Sequence, residues 1–417
     1  MKKLYFLILL FPFVFYAKSF LISNIALPKT SIQNLDPYPC DEKCLQEHLD
    51  NGYIFSFLAH ADEKLANEEL EKERARYLSA LNIKWFMQES KIRIALLLPY
   101  KKIGRYAAST TNASFAYLMS KNHPYELKSY NIEDESHEEI LTALIKIRED
   151  GFYHVIAPLT QTGEEIVSTI NPDINIYFPT INKKDTNTTS NYLYYGGIDH
   201  RAQSDLLLKE ALSPLIIFND NSEIGQQLTY HQEYKFKHKY SEDENTTLQR
   251  NNKNLTVIKF SIPQRITNLE KQLKDNKKIN AGSFFINTPI IKSGMILSQL
   301  TLYDTNATNV LSTQTNYNPL LLSMTQYQDR KNMIIANSIT QNKDVLIETN
   351  SLLGNDIVYD WINYTTTVGI DYFSHLINGE KREYDIEIQE NQMIYPIELL
   401  QPSFSRFIPY KSVYEEQ

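Results

Sequence analysis

Cys40 and Cys44 are the two cysteines of the chain and stand four residues apart in PCDEKC. On a helix that spacing brings their Cα atoms to roughly 6 Å, within reach of a disulfide. A bond to a second chain is the alternative pairing. Two thiolates make an incomplete zinc site and His48 would add only a third ligand, so no metal centre is expected. CxxxC is neither the thioredoxin nor the haem-attachment spacing. The nine histidines are scattered. The closest pair, His231 and His238 in YHQEYKFKHKY, has no carboxylate placed as a third ligand and reads as surface. Asp199-His200-Arg201 falls at an expected helix start, where Asp199 reads as an N-cap and not as an acid–base partner. GxSxG, HExxH, GxxxxGK[ST] and GxGxxG are all missing, so neither catalysis nor a cofactor is expected.

The compartment decides the state of the two thiols. MKKLYFLILLFPFVFYAKS has two lysines, an apolar stretch from Leu4 to Ala17, and Ala17-Lys18-Ser19 as a small-x-small cleavage site. The apolar stretch is about 14 residues, short of the ~20 of a spanning helix. Residues 1–19 are therefore expected to be a signal peptide cut near Ser19, releasing a soluble protein into an oxidising periplasm that favours the Cys40–Cys44 bond. No cysteine follows the cut to take a lipid, and no later segment is apolar enough to cross a bilayer. The formal charge of −8 becomes −11 once Lys2, Lys3 and Lys18 are removed. An acidic chain without a basic cluster argues against nucleic acid and anionic lipid as partners.

The elements around these residues follow from apolar patterning. Residues 20–40 read as an irregular leader, because Pro28, Pro37 and Pro39 oppose a helix. Residues 41–89 read as a helical hairpin. Asp41 caps its first helix, and a longer second helix spans about Tyr53 to Gln88. Phe55, Leu58, Leu65, Leu78 and Leu81 form the apolar side of that helix, and Trp85 and Phe86 pin it to the body. EELEKERAR at 68–76 reads as a solvated face with local pairs such as Glu68–Lys72. From Lys91 the chain alternates. IRIALLLP (92–99), HVIAPL (154–159), PLIIF (214–218), LTVIKF (255–260) and AGSFFI (281–286) are short apolar runs, each followed by a helical pattern. Such runs suit strands buried on both faces of a parallel sheet. The expected class is α/β, with two Rossmann-like lobes. The first lobe takes 91–213, closed by a helix from Asp199 to Leu212, and the second takes 214–319. Residues 320–410 cross back to the first lobe, ending in a hairpin around Glu390-Asn391.

IRIALLLPYKKIGRYAASTTNASFAYLM and HVIAPLTQTGEEIV resemble the opening and the third crossing of type I periplasmic-binding-protein folds. FFINTPIIKSGMILSQLTLYDTNATNVLSTQTNY, YTTTVGIDYFSHLINGE and QENQMIYPIELLQPSFSRFIPY are similar to the binding-protein-like domain of Lpo-type activators of penicillin-binding proteins. The likeness spans about residues 91–410. It departs from that family in having no lipidated cysteine, and one helical hairpin where the family has a long helical-repeat domain. The resemblance implies a cleft at the carboxyl ends of the strands, lined by Tyr100–Arg105, Thr160–Gly163 and Thr180–Lys183, and by Asn219–Ser222, Ser261–Gln264 and Asn287–Thr288. Thr160 and Thr162 match in position the loop by which amino-acid-binding proteins hold an α-carboxylate. Helix capping explains the same residues. Asn219 and Asn287 are the candidate contacts from the second lobe.

Asn187, Asn245 and Asn306 each follow an acidic residue at −2 and precede Thr at +2. This resembles the extended acceptor of the bacterial oligosaccharyltransferase of Campylobacter-like organisms, so the three are candidate glycosylation sites in loops. Two functions stay open. One is a protein-binding accessory or scaffold of envelope machinery, in cell-wall synthesis or a flagellar motor. The other is a receptor for an amino acid or similar small molecule.

Overall fold

The computed structural model describes residues 32, 36, 38–61, 65–80, 91–121, 123–238, 255–263, 265 and 268–411. The expected signal peptide, nearly all of the leader before Tyr38, Leu81, Trp85, Phe86, Asn245 and Gln264 lie outside the described residues. Two seven-stranded sheets make the body. The first contains β1 (Ile92–Pro99), β2 (Tyr125–Ile132), β3 (His154–Ile156), β4 (Asn175–Phe178), β5 (Leu193–Tyr195), β11 (Glu387–Gln389) and β12 (Gln392–Ile394), in the order β11-β12-β5-β4-β3-β1-β2. The second contains β6 (Leu215–Asn219), β7 (Val257–Ser261), β8 (Ser283–Asn287), β9 (Asn309–Ser312), β10 (Met333–Asn337), β13 (Glu398–Pro402) and β14 (Phe407–Pro409), in the order β14-β13-β10-β9-β8-β6-β7. β1 to β5 and β6 to β10 run parallel; β11, β13 and β14 pair antiparallel with their neighbours.

The apolar runs became strands because helices cover both sheet faces. In β1 every residue but Arg93 is buried, and β6 and β8 are buried throughout. The edge strands β2 and β7 are mostly half-buried or exposed, and Lys128 and Lys259 on them ion-pair with Asp150 and Glu233. Charges of this kind blunt an edge against pairing with another chain. Among the described residues no helix is long and apolar enough to cross a membrane.

Three expectations change. The helix beginning at His200 ends at Leu208 and packs in the second lobe, where Leu207 and Leu208 join Ile217, Phe285 and Ile334. β10 also belongs to the second sheet, beside β9. The return crossing therefore lies after Asn337, not at 320. The tail then divides, β11–β12 going to the first sheet and β13–β14 to the second. Apolar alternation marks a strand but carries no information about which sheet will pair with it.

The third change is in the N-terminal module, which has three helices among the described residues: α1 (Glu42–Asp50), α2 (Ile54–His60) and α3 (Glu68–Ala80). The Asn67 side chain accepts from the N–H groups of Glu69 and Leu70 and so starts α3 afresh. Phe57, not Phe55, enters the small core with Leu45, Leu58, Leu70 and Leu78; Phe55 is 61% exposed. The charged run is not wholly solvated either. Arg74 is buried, donating to Ala61 O at 3.1 Å and to Glu71 at 3.3 Å.

Candidate functional site

The chain passes between the sheets after β5, after β10 and before β13. Gly196 at the first crossing has no room for a side chain, since a Cβ would fall 1.8 Å from the Tyr177 hydroxyl. Tyr177 is itself fixed by donating to Thr365 O at 2.9 Å. Beside the crossings lies a buried polar network. Gln203 donates to Ser338 Oγ at 2.8 Å, Ser338 N–H donates to Gln314 Oε1 at 2.6 Å, and Gln314 N–H donates to Gln203 Oε1 at 2.9 Å. All three side chains are buried, so their mutual satisfaction removes the cost of burying them. Arg201 pairs with Asp185 across 2.9 Å, and Lys184 pairs with Asp199. Burial raises the Asp185 carboxyl, against the pull of Arg201. Burial would also raise Asp199, but hydrogen bonds from Lys184 and the Ala202 N–H carry it below the usual range. Asp199 caps the His200 helix through that N–H, as expected.

Thr160 stands at the N-cap of the helix Gln161–Ile170 but makes no side-chain cap bond. Its N–H donates to Glu135 Oε1 at 2.7 Å and its hydroxyl donates to Glu135 Oε2. Glu135 is 5% exposed. A Cβ at Gly163 would come 2.8 Å from the Glu135 carboxyl carbon, so the carboxylate is packed against the helix's first turn. A helix N-terminus with free N–H groups favours an anion there, and the chain supplies its own. Thr162 is exposed on the same turn.

In the second lobe Asn219 and Asn287 are register partners at the ends of β6 and β8. Asn219 accepts from the Asn221 N–H at 3.3 Å, and its carbonyl accepts from the Ile262 N–H at 2.7 Å. Asn287 exchanges amide bonds with Gln232, donating at 2.7 Å and accepting at 3.1 Å; Gln232 also donates to Ser204 at 3.0 Å. The candidate residues thus gather in two corners, one per lobe, with Thr160, Asn219 and Asn287 committed to partners within the chain.

Elsewhere, His231 donates from Nε2 to Asp205 Oδ1 at 2.7 Å, and His238 contacts Tyr234 O. Burial lowers His154 to about 4, where its ring meets the edge of Phe373 at 5.0 Å. Asn187 and Asn306 are exposed in loops, each at the rim of a concave surface of about 690 and 540 Å³ respectively. Cys40 and Cys44 form a disulfide with Cα atoms 5.3 Å apart, and Asp41 caps α1 through the Cys44 N–H. Sequence reasoning missed Glu135 and Gln232. An acid before Ser136 and a glutamine within a helix carry no local sign of partners 25 and 55 residues away.

No protein-family model matches the chain, and no curated protein sequence does. Its architecture does match solved structures. The leucine-binding protein LivK of Thermotoga maritima superposes with a TM-score of 0.54 at 12% identity, covering 77% of this chain and 98% of that one. The fold is that of the type I periplasmic binding proteins. LivJ of Streptococcus pneumoniae, in complex with isoleucine, gives 0.54 at 8% identity over 76% and 98%. LpoA of Haemophilus influenzae gives 0.50 at 10% identity over 89% of this chain and 72% of that one. At these identities the likeness is one of fold.

Proposed function

We propose that this protein is a non-catalytic accessory or scaffold of envelope machinery, exported to the periplasm, that works by binding another protein. The observation that carries the reading is Glu135 seated on Thr160, where a free carboxylate ligand would have to sit. A cleft whose anion-binding corner is filled by its own chain is poorly suited to collecting solutes. The match to LpoA covers more of this chain than the match to LivK, which supports a role of the activator kind in cell-wall synthesis, or a comparable one in a periplasmic appendage motor. Glycans on Asn187, Asn245 or Asn306 would add solubility and protease protection.

The test is capture from cross-linked envelope, run beside native mass spectrometry. The expected result is one stoichiometric protein partner and no retained metabolite, with capture lost when residues 20–89 are deleted and the body stays folded. The receptor reading is favoured by the fold it shares with LivK and LivJ. A retained amino acid, with no protein partner, would establish that reading instead.

A further inference from the structure

The N-terminal module holds a group of side chains that the scaffold role does not use. α1 and α2 bring His48 and His60 together with their rings nearly parallel, 9° apart, and centroids separated by 5.6 Å. Ligand atoms of Cys40, His48 and His60 all lie within 4.8 Å of one another. The fourth member, Cys44, places Sγ 3.6 Å from Nε2 of His48. All four side chains are partly buried, above a core of Leu45, Phe57, Leu58 and Ala61. The Asp36 carboxylate lies 3.7 Å from Nε2 of His60 and adds negative charge beside them.

We propose that Cys40, Cys44, His48 and His60 form a four-ligand site for a soft divalent cation, zinc above all, when the two cysteines are reduced. Two thiolates and two imidazoles are a complete tetrahedral donor set. With Zn–S of about 2.3 Å and Zn–N of about 2.0–2.1 Å, ligand atoms stand roughly 3.3–3.8 Å apart around the ion. The His48–Cys44 separation already meets this. Once the disulfide is broken the two sulfurs must move apart to about 3.8 Å, while Cys40, His48 and His60 need only close in from within 4.8 Å. The sequence hides the set, because His60 comes from a second helix after the turn Asn51–Tyr53.

Disulfide and metal are mutually exclusive states of this site. Sulfurs bonded to each other cannot act as thiolates, which leaves two histidines. A dithiol reductant supplies two electrons and two protons, closing its own disulfide as Cys40 and Cys44 become thiols. The cation then displaces both thiol protons to solvent. The module would thus convert the redox state of its surroundings into metal occupancy.

The full chain, reduced anaerobically and freed of reductant, is titrated with Co2+ and then Zn2+. The expected result is one Co2+ per chain, a thiolate-to-cobalt charge-transfer band, intense tetrahedral visible bands, and stoichiometric displacement by zinc. The oxidised chain should bind at least about 100-fold more weakly, and H48A or H60A in the reduced chain about 10–100-fold more weakly. Absence of the thiolate band in the reduced chain overturns the proposal. So does unchanged affinity in H60A when circular dichroism shows its helices intact. Should H60A unfold, the reduced and oxidised wild-type chains still decide by the presence or absence of that band.

Discussion

At the end of β3 the first lobe satisfies its exposed donors with a charge, Glu135, whereas at the end of β8 the second lobe uses a neutral amide pair, Asn287 with Gln232. The two corners occupy equivalent positions at the carboxyl ends of parallel strands, yet they differ in how replaceable their contents are. A carboxylate held by an N–H and a hydroxyl makes bonds that any free carboxylate could make. The amide pair needs a donor and an acceptor at once, and Gln232 is further held by Ser204. The first corner is therefore held by a buried carboxylate of the chain, and the second by a neutral amide pair.

Removing the charge should have the largest effect. Glu135→Ala leaves the Thr160 N–H and hydroxyl without their acceptor, and two hydrogen bonds to a buried charge suggest a loss of about 3–5 kcal/mol. Formate or acetate should restore part of the lost melting temperature in this variant by binding the vacated corner, and should leave the wild type unmoved. Equal response of both proteins would show that the corner was never the binding point.

Acid should weaken the first lobe through His154. Its folded pKa is depressed to about 4 by burial, while the unfolded value is near 6.5. Between those values the unfolded chain binds more protons, so stability is full above pH 6.5 and falls as pH drops towards 4, by about 3 kcal/mol at the end. Melting curves of the wild type and His154→Asn should converge across this window, with the variant losing less. Parallel curves would assign the loss to carboxylates alone.

Asn287→Ala should cost about 1–3 kcal/mol, since Gln232 loses both bonds to it but keeps Ser204. No carboxylate should rescue it, which separates the amide corner from the carboxylate one. Thr162→Ala, at an exposed position, should stay within about 0.5 kcal/mol, measured by chemical denaturation. A larger loss would give Thr162 a role that its exposure does not suggest.

The body was legible in the sequence wherever burial is two-sided. IRIALLLP and PLIIF could hardly be other than central strands, and the Asp41 and Asp199 caps follow from side-chain type. The allocation of β10 and of the His200 helix was not legible, because Ile334 and Leu207 would be apolar in either lobe. Phe55 and Phe57 could not be ranked either, since the break before α3 sets which face of α2 is inward. On sequence alone Thr160 either meets a ligand carboxylate or caps its helix; its N–H and hydroxyl instead bond Glu135 of the same chain, and contacts between distant residues leave no periodic trace.

Calorimetric titration of the wild-type chain and Glu135→Ala with a panel of free amino acids tests the central claim most directly. The wild type should give no saturable binding, and Glu135→Ala should gain weak binding that Thr160→Val abolishes. Saturable binding to the wild type, lost on Thr160→Val, would contradict the account and make this protein a receptor.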